Sequence, residues 1–159
     1  MDLQNAKNLA LTFMAMHKVI AMGYTFSFSN SRRAAGYCKY TTKQIQLSKH
    51  LTALADEADV IDTILHEIAH ALCPQHGHDH VWQRTAIAIG CNGKRCYGGD
   101  GDNKESLVVA YKLVAKYKAV CKNGHEHFLN RKPKKNRCCG LCYRKFNPND
   151  LLVYTPTNQ

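Results

Sequence analysis

The N-terminal residues repeat their apolar positions at spacings close to the turns of a helix. A signal peptide would instead have an unbroken apolar centre behind basic residues, and no apolar run in the sequence is long enough for a transmembrane helix. We therefore expect an amphipathic first helix that belongs to the mature, intracellular protein. The apolar positions of this predicted helix are Leu3, Leu9, Phe13, Met16 and Ile20.

Three short segments after this helix have the pattern of strands. Tyr24–Asn30 (YTFSFSN) alternates aromatic with small polar residues, which is typical of a half-buried strand. Gly36–Tyr40 (GYCKY) and Gln44–Ser48 (QIQLS) follow, with the turn-like residues TTK between them. Together they predict a short antiparallel sheet.

The strongest helical pattern runs from Asp56 to Leu72. Acidic residues crowd its first turns, where the positive end of the helix dipole stabilises them. Pro74 ends the pattern, and a shorter helix is predicted from Val81 to Ile89. The apolar face of the long helix consists of Val60, Ile61, Ile64, Leu65, Ile68 and Leu72.

The chain changes character after about residue 90. Gly90–Ser106 is rich in glycine and polar residues and predicts a linker or long loop. Beyond it, three β-like pieces alternate with basic and turn residues: AYKLVAKYKAVC, HEHFLN and DLLVY. We expect an α+β protein with a mixed domain over residues 1–100 and a small basic β unit over residues 101–159.

Positive charge is concentrated in the second of these domains. The formal net charge is +10, and half of the 22 lysines and arginines lie between Lys112 and Lys145, a stretch whose single acid is Glu126. A solvated basic face is the plainer interpretation, but such a concentration favours contacts with nucleic-acid phosphates. The residues expected to contact DNA are Arg131, Lys132, Lys134, Lys135 and Arg137.

The long helix contains the motif HExxH at residues 66–70. Residues four apart lie one turn above each other on the same helix face, so His66 and His70 can reach one Zn²⁺. Glu67 can reach a water at that metal without being a ligand, which suits a general base in hydrolysis. The alternative is an ordinary pair of surface histidines.

A catalytic zinc needs a third protein ligand, and the sequence offers three histidines for it. His76 has the spacing of the HExxHxxGxxH pattern, but Cys73 occupies the position of its glycine. His78 follows Gly77, and His80 lies two residues further on. We interpret Cys73 as a core residue rather than as a ligand.

The sequence DTILHEIAHAL followed by GHDHVW resembles the SprT-like metalloproteases, which include Spartan-type proteases of DNA–protein crosslinks. In that family HExxH is followed by a short loop, then Gly-His, then an aromatic residue four positions after that histidine; Gly77, His78 and Trp82 match. The resemblance implies a zincin-like domain with His78 as the third ligand. A proline common two positions after that histidine is His80 here, so His80 remains a rival.

A second cluster of metal-binding residues lies near the C-terminus. Cys121 and His125 form Cys-x₃-His, and Cys139 and Cys142 form Cys-x₂-Cys after a basic spacer. Four ligands close a tetrahedral site, so this second Zn²⁺ would be structural. The segment resembles the zinc ribbon of many SprT-like proteins, in which four cysteines are more usual. Two substitutions stay open: His127 for His125, and Cys138 for Cys139.

These features lead to one functional expectation with an alternative. We expect a zinc endopeptidase with one catalytic and one structural Zn²⁺ that acts on DNA-bound, and by resemblance DNA-crosslinked, proteins. The alternative is a zinc-containing nucleic-acid-binding regulator with a vestigial HExxH site. The chain is expected to be a monomer without membrane contact. It lacks the long tails of the large eukaryotic members, which favours a bacterial or phage source and a cytoplasmic location (nuclear if eukaryotic).

Overall fold

A computed structural model describes residues 1–95 and 105–157, with residues 105–108 described by their backbone alone. The chain divides into two compact units, Met1–Ala110 and Tyr111–Gln159. The predicted domain boundary at residues 100 and 101 lies outside the described residues. Within the described part, no helix is both long and apolar enough to cross a membrane.

Five helices occur in the described residues, and two of the three predicted ones lie within a residue of their expected bounds. The long helix and the shorter one after it are confirmed, whereas the short second helix was not predicted. The fifth helix is a correction, because its residues were expected to form a loop and part of a strand. The helices are α1 (Leu3–Met16), α2 (Lys49–Leu54), α3 (Glu57–Leu72), α4 (His80–Ala88) and α5 (Glu105–Leu113).

The first helix is present, but its buried face differs from the predicted one. Asp2 caps α1 by accepting a hydrogen bond from the Asn5 backbone N–H at 3.0 Å. The fully buried side chains are Ala6, Ala10 and Met14. Met16 is 63% exposed, and Ile20, beyond the helix end, is 43% exposed. Small residues let α1 lie close to α3, which a search for large apolar side chains overlooks.

The sheet of the first unit is mixed, so the prediction of an antiparallel sheet was wrong. It consists of β1 (Thr25–Ser29), β2 (Gly36–Lys39) and β3 (Gln44–Ser48) in the order β1-β3-β2. The turn after β2 makes β2 and β3 an antiparallel hairpin, while β1 pairs with β3 in parallel. The central strand is β3, which has the most buried side chains. The alternation of apolar and polar residues within one strand does not determine which strands it pairs with.

Helix α3 is the centre of the first unit. It packs against α1, α4, β2 and β3, and most of its residues are buried, including His66, Glu67 and His70. Its first turn carries Glu57 and Asp59, in keeping with the helix dipole. A helix buried on nearly all sides holds its polar side chains in fixed positions, which is what a reactive site requires.

The second unit is a small three-stranded antiparallel sheet with long loops. Its strands are β4 (Tyr117–Val120), β5 (Glu126–Leu129) and β6 (Thr155–Pro156), in the order β5-β4-β6. The predicted piece HEHFLN contains β5, and AYKLVAKYKAVC contains β4 only in its YKAV part. Among the described residues, DLLVY forms a single bridge, between Leu151 and Cys138. Such a short sheet has little apolar surface to bury and depends on additional links.

Candidate metal centres

Three histidines of the first unit bring their ring nitrogens together. His78 Nε2 lies 3.1 Å from His70 Nε2 and 3.0 Å from His66 Nε2. The potential ligand atoms of all three lie within 4.8 Å of one another, and we call this group the histidine cluster. His66 and His70 are buried, whereas His78 is exposed, so the cluster is accessible from the side of His78.

Two elements position these side chains. Helix α3 places His66 and His70 one turn apart on one face. The loop from Cys73 to Asp79 returns His78 to the same face, and Asp79 is the N-cap of α4, which follows. The Asp79 carboxylate accepts hydrogen bonds from the backbone N–H groups of Val81, at 2.9 Å, and Trp82, at 3.0 Å. The loop that carries the third histidine is therefore anchored by a helix cap immediately after it.

The two rival histidines lie elsewhere. His76 Nδ1 contacts the Asp79 carboxylate at 2.8 Å, so His76 supports the loop. His80 is exposed in the first turn of α4. Cys73 is buried in an apolar cluster, and its thiol donates to the Ala69 carbonyl at 2.9 Å. Of the residues that compete for the third position, the structure brings only His78 to His66 and His70.

Trp82 contacts all three histidines, which the sequence analysis did not anticipate beyond a motif match. Its ring centroid lies 4.7 Å from that of His66, 5.2 Å from that of His70 and 4.6 Å from that of His78. The indole is 1% exposed and stacks on His70 with an interplanar angle of 27°. The indole thus restricts the orientations of the three imidazoles. In the sequence, the feature that pointed to Trp82 was its position four residues after His78.

The surroundings of the cluster favour neutral imidazoles. Burial lowers the pKa of His70 to about 4, and the neighbouring His78 adds to this effect. The His76 backbone opposes the shift, although His70 Nδ1 itself forms no hydrogen bond among the described residues. Burial, followed by the charge of Arg95, lowers the pKa of His78. Neutral imidazole is the form that binds a metal ion.

Glu67, the residue after His66 on α3, has a buried carboxyl. Burial raises its pKa to about 8, against the opposing effect of a hydrogen bond from the Cys38 backbone N–H. The side chain also lies directly against Gly36 of β2. A carboxyl whose pKa is raised towards neutrality can both take up and release a proton, as a general acid–base requires.

The histidine cluster suits a zinc ion. Nitrogen ligands of tetrahedral zinc, at about 2.0–2.1 Å from the metal, lie about 3.3 Å from one another. The Nε2 distances of 3.0 and 3.1 Å are close to that value. Each neutral imidazole carries a single N–H. Hydrogen bonds among the three rings therefore account less well for His78 Nε2, which lies at nearly the same distance from two other ring nitrogens. A shared cation explains the convergence better.

The second unit gathers the four predicted ribbon residues, which we call the cysteine cluster: Cys121, His125, Cys139 and Cys142. His125 Nδ1 is central, at 3.4 Å from Cys121 Sγ, 3.2 Å from Cys142 Sγ and 3.5 Å from Cys139 Sγ. The Sγ atoms of Cys121 and Cys142 lie 3.7 Å apart. Three sulfurs and one nitrogen form a donor set typical of structural zinc.

The thiols of the cysteine cluster favour different protonation states. Burial opposes ionisation of Cys121, but backbone N–H groups and neighbouring thiols overcome it and lower the pKa to about 7. Burial and the adjacent thiol of Cys139 raise the pKa of Cys142 to about 11. Crowded thiolates repel one another, so holding all of them ionised requires a cation.

The two alternatives for ribbon ligands lie beside the cluster. His127 Nε2 contacts only one of the thiols, Cys139 Sγ, at 3.2 Å. Cys138 Sγ accepts from the Asn147 backbone N–H at 3.3 Å instead. The structure thus groups His125 and Cys139, as first expected, and places His127 where it can hydrogen-bond a ligand sulfur from outside.

The five predicted DNA-contacting residues are all exposed, in the loop between β5 and Cys138. We call Asn130–Arg137 the basic spacer. The two acids of the second unit pair with lysines that lie outside the basic spacer. Glu126 pairs with Lys118 at 2.5 Å, and Asp150 pairs with Lys122 at 3.1 Å. Among the described residues, no salt bridge therefore neutralises the spacer.

The aromatic residues near the spacer differ in how exposed their rings are. Phe128 lies under the ammonium groups of Lys112 and Lys118, and the Tyr143 hydroxyl donates to Asp150 at 2.7 Å. Tyr117 is half-buried in β4, whereas Phe146 is 59% exposed. Of the four aromatic residues, Phe146 is the one most accessible to a nucleic-acid base.

A family model describes the first unit. The SprT-like family model matches residues 8–99, more than half of the chain and all of the histidine cluster. The chain therefore belongs to the SprT-like family, which is associated with zinc metalloprotease-like activity. The match ends before the cysteine cluster. Comparison with curated proteins and with solved structures gave no match.

Proposed function

We propose that this protein is a zinc-dependent endopeptidase that cuts proteins associated with DNA, including crosslinked ones. The observation that carries the proposal is the convergence of three imidazole nitrogens, two of them from the helix that also carries the buried Glu67. His66, His70 and His78 would hold the metal. A zinc ion bound there supplies a Lewis acid that polarises a peptide carbonyl and lowers the pKa of water.

Glu67 supplies the proton transfers. Its carboxylate takes a proton from the attacking water and passes it to the amine that leaves when the peptide bond breaks. Burial keeps the side chain in place, and the Cys38 N–H orients it. A site used only for structure has no need of a buried carboxyl in this position, which argues against the alternative of a regulator with a vestigial motif.

The basic spacer supports the choice of DNA-bound substrates. Its exposed, unneutralised charges suit phosphate contacts, and Phe146 offers a surface for base stacking. A structural zinc in the cysteine cluster would hold the loop that carries these residues. Because proteins crosslinked to DNA are a substrate implied by the family resemblance, that part of the proposal is the most in need of a test.

A cleavage assay with a protein bound to DNA, and the same protein free, tests the enzyme. Glu67→Gln keeps the size of the side chain but cannot accept a proton, so hydrolysis should fall about 100-fold or more. Zinc content and DNA affinity should be unchanged. If this variant cleaves like the wild type, the proposed general base is wrong; if the wild type cleaves neither substrate, the enzyme proposal is wrong.

A charge variant tests the DNA part separately. Replacing Lys132, Lys134 and Lys135 by Gln should weaken DNA binding and reduce its salt dependence by about 0.9 per lost duplex phosphate contact. Cleavage of a free peptide should persist, while cleavage of the DNA-bound protein should drop. The matched control removes the same charge from exposed lysines of the first unit: Lys7, Lys39 and Lys94. If the two triple variants had equal effects on DNA binding, the basic spacer would be an ordinary solvated surface rather than a DNA-binding one.

A further inference from the structure

Gly36 of β2 occupies a place where no side chain fits. A Cβ atom built on Gly36 would lie 2.7 Å from Glu67 Cγ, 2.7 Å from Oε1 and 3.0 Å from Cδ. Carbon atoms in contact normally lie about 3.5–4.0 Å apart. By contrast, a Cβ on Gly77 or Gly140 would meet no atom within 4 Å. Of the other described glycines, Gly93 also lacks space for a Cβ, which would lie 2.8 Å from Ile87 Cγ1, but its positive φ already favours glycine.

The backbone conformation of Gly36 does not explain the glycine. Four other glycines have φ values from 68° to 95°, a region that favours glycine. Gly36 is not among the residues with positive φ, so its conformation is open to other amino acids. The close approach of Glu67 is therefore the reason why a side chain is excluded here.

A second residue of the same strand lies near the carboxyl. The Cys38 backbone N–H, two residues along β2, partly offsets the effect of burial on the pKa of Glu67. Among the described residues, β2 pairs with β3 alone, and α3 packs against it. The Glu67 side chain lies against this strand at Gly36.

We propose that Gly36 is a positioning residue for the catalytic Glu67. The missing side chain leaves space for the Glu67 side chain to lie against β2, and this contact fixes the position of its carboxyl. The inference deepens the proposed function and rests on it.

The test begins with Gly36→Ala in the zinc-loaded full-length protein. The new methyl group must displace the carboxyl by the better part of an ångström, and a shift of about 1 Å can cost about 100-fold in rate. We expect kcat for a free peptide to fall by that order, with KM and zinc content little changed. Lys39→Ala, an exposed change on the same strand, is the control and should keep full activity.

A compensating change separates positioning from general damage. Glu67→Asp shortens the side chain by one methylene, which makes room for the methyl group of Gly36→Ala. The double variant should therefore be more active than the product of the two single effects predicts, as expected for residues in contact. Strict multiplicativity of the two effects would overturn the proposal, as would full activity of Gly36→Ala.

A readout independent of hydrolysis keeps the two proposals distinguishable. The NMR chemical shift of the Cys38 amide proton reports the position of the nearby Glu67 carboxyl. It should move more in Gly36→Ala than in Lys39→Ala, although Lys39 is the direct neighbour of Cys38. A wild type without hydrolytic activity contradicts the proposed function, yet the Cys38 shift still decides whether Gly36 positions the carboxyl. An unchanged shift in a folded Gly36→Ala protein contradicts the positioning role.

Discussion

The histidine cluster and the cysteine cluster differ in what surrounds them. The first uses two residues of a helix buried on nearly all sides, plus one from an anchored loop. The second joins two turns of a unit whose longest strands have four residues. The first cluster is thus placed on a fold that exists without it, whereas the second supplies much of the fold around it.

This difference matches two uses of the same metal. A reactive site benefits from ligands fixed in advance by packing, with an accessible side for substrate. A structural site instead converts binding free energy into folding free energy. The first cluster offers three candidate ligands, two of them on the helix that also carries Glu67, while the second offers four, enough to complete a tetrahedral site. The predictions below test this contrast, beginning with the largest expected effect.

The largest expected difference between the two units is their response to the removal of metal. We expect two zinc ions per chain. Stripping the cysteine cluster should unfold the second unit, because structural zinc contributes about 10–16 kcal/mol in comparable small domains. The first unit should stay folded and lose only its hydrolytic activity. Metal analysis combined with NMR of the stripped protein checks both statements, and a single zinc in fully loaded protein would refute the two-site interpretation.

Replacement of Trp82 should destabilise the first unit even without metal. Trp82→Ala removes a fully buried ring and should cost about 3–5 kcal/mol. Trp82→Phe should cost less, since the indole N–H has no hydrogen-bond partner among the described residues to lose. Phe146→Ala, at an exposed aromatic of the second unit, is the control and should change stability by no more than about 0.5 kcal/mol. Denaturant unfolding of each variant gives the values.

Three histidine variants test which residue completes the first cluster. His78→Ala should lower zinc affinity and hydrolysis by about 100-fold or more, the upper end of what even outer-shell changes cost. His76→Ala and His80→Ala should have much smaller effects, since His76 contacts Asp79 and His80 is exposed. Zinc titration and peptide cleavage measure these effects. A larger loss in His76→Ala would mean that the loop follows the HExxHxxGxxH pattern.

The smallest effect is expected for the histidine outside the cysteine cluster. His127→Ala removes one contact to Cys139 Sγ and should lower zinc affinity of the second unit by about tenfold. His125→Ala, which removes the central nitrogen, should prevent stable zinc binding there. Competition with a chelator of known affinity ranks the two. If His127→Ala proves the more damaging, His127 rather than His125 is the ligand.

The sequence predicts the local parts of this molecule well. Helical periodicity and the acidic first turns located α3, and HExxH on that helix identified two histidines that the structure brings together. The spacing of the second cluster likewise identified four residues that converge. Such predictions succeed because helix geometry and short turns bring together residues that are close in the chain.

The parts that failed depend on distant residues. The parallel pairing of β1 with β3 and the burial of Ala6, Ala10 and Met14 follow from packing against elements far along the chain. The contact of Gly36 with Glu67 joins β2 to α3. The spacing of residues along the chain does not predict a contact between such distant elements. The start of α5 at Glu105 shows that polar composition alone is a poor guide to a loop.

The exposure of His78 has a consequence for the kinetics of metal exchange. A zinc ion in the histidine cluster would have a route to solvent past one surface side chain, while His66 and His70 remain held by the core. Isotopically labelled zinc should therefore exchange quickly at this cluster, and slowly at the cysteine cluster, where release awaits unfolding of the unit. Brief dialysis against Co²⁺ would then replace one metal and spare the other, which gives the histidine cluster a visible spectrum of its own.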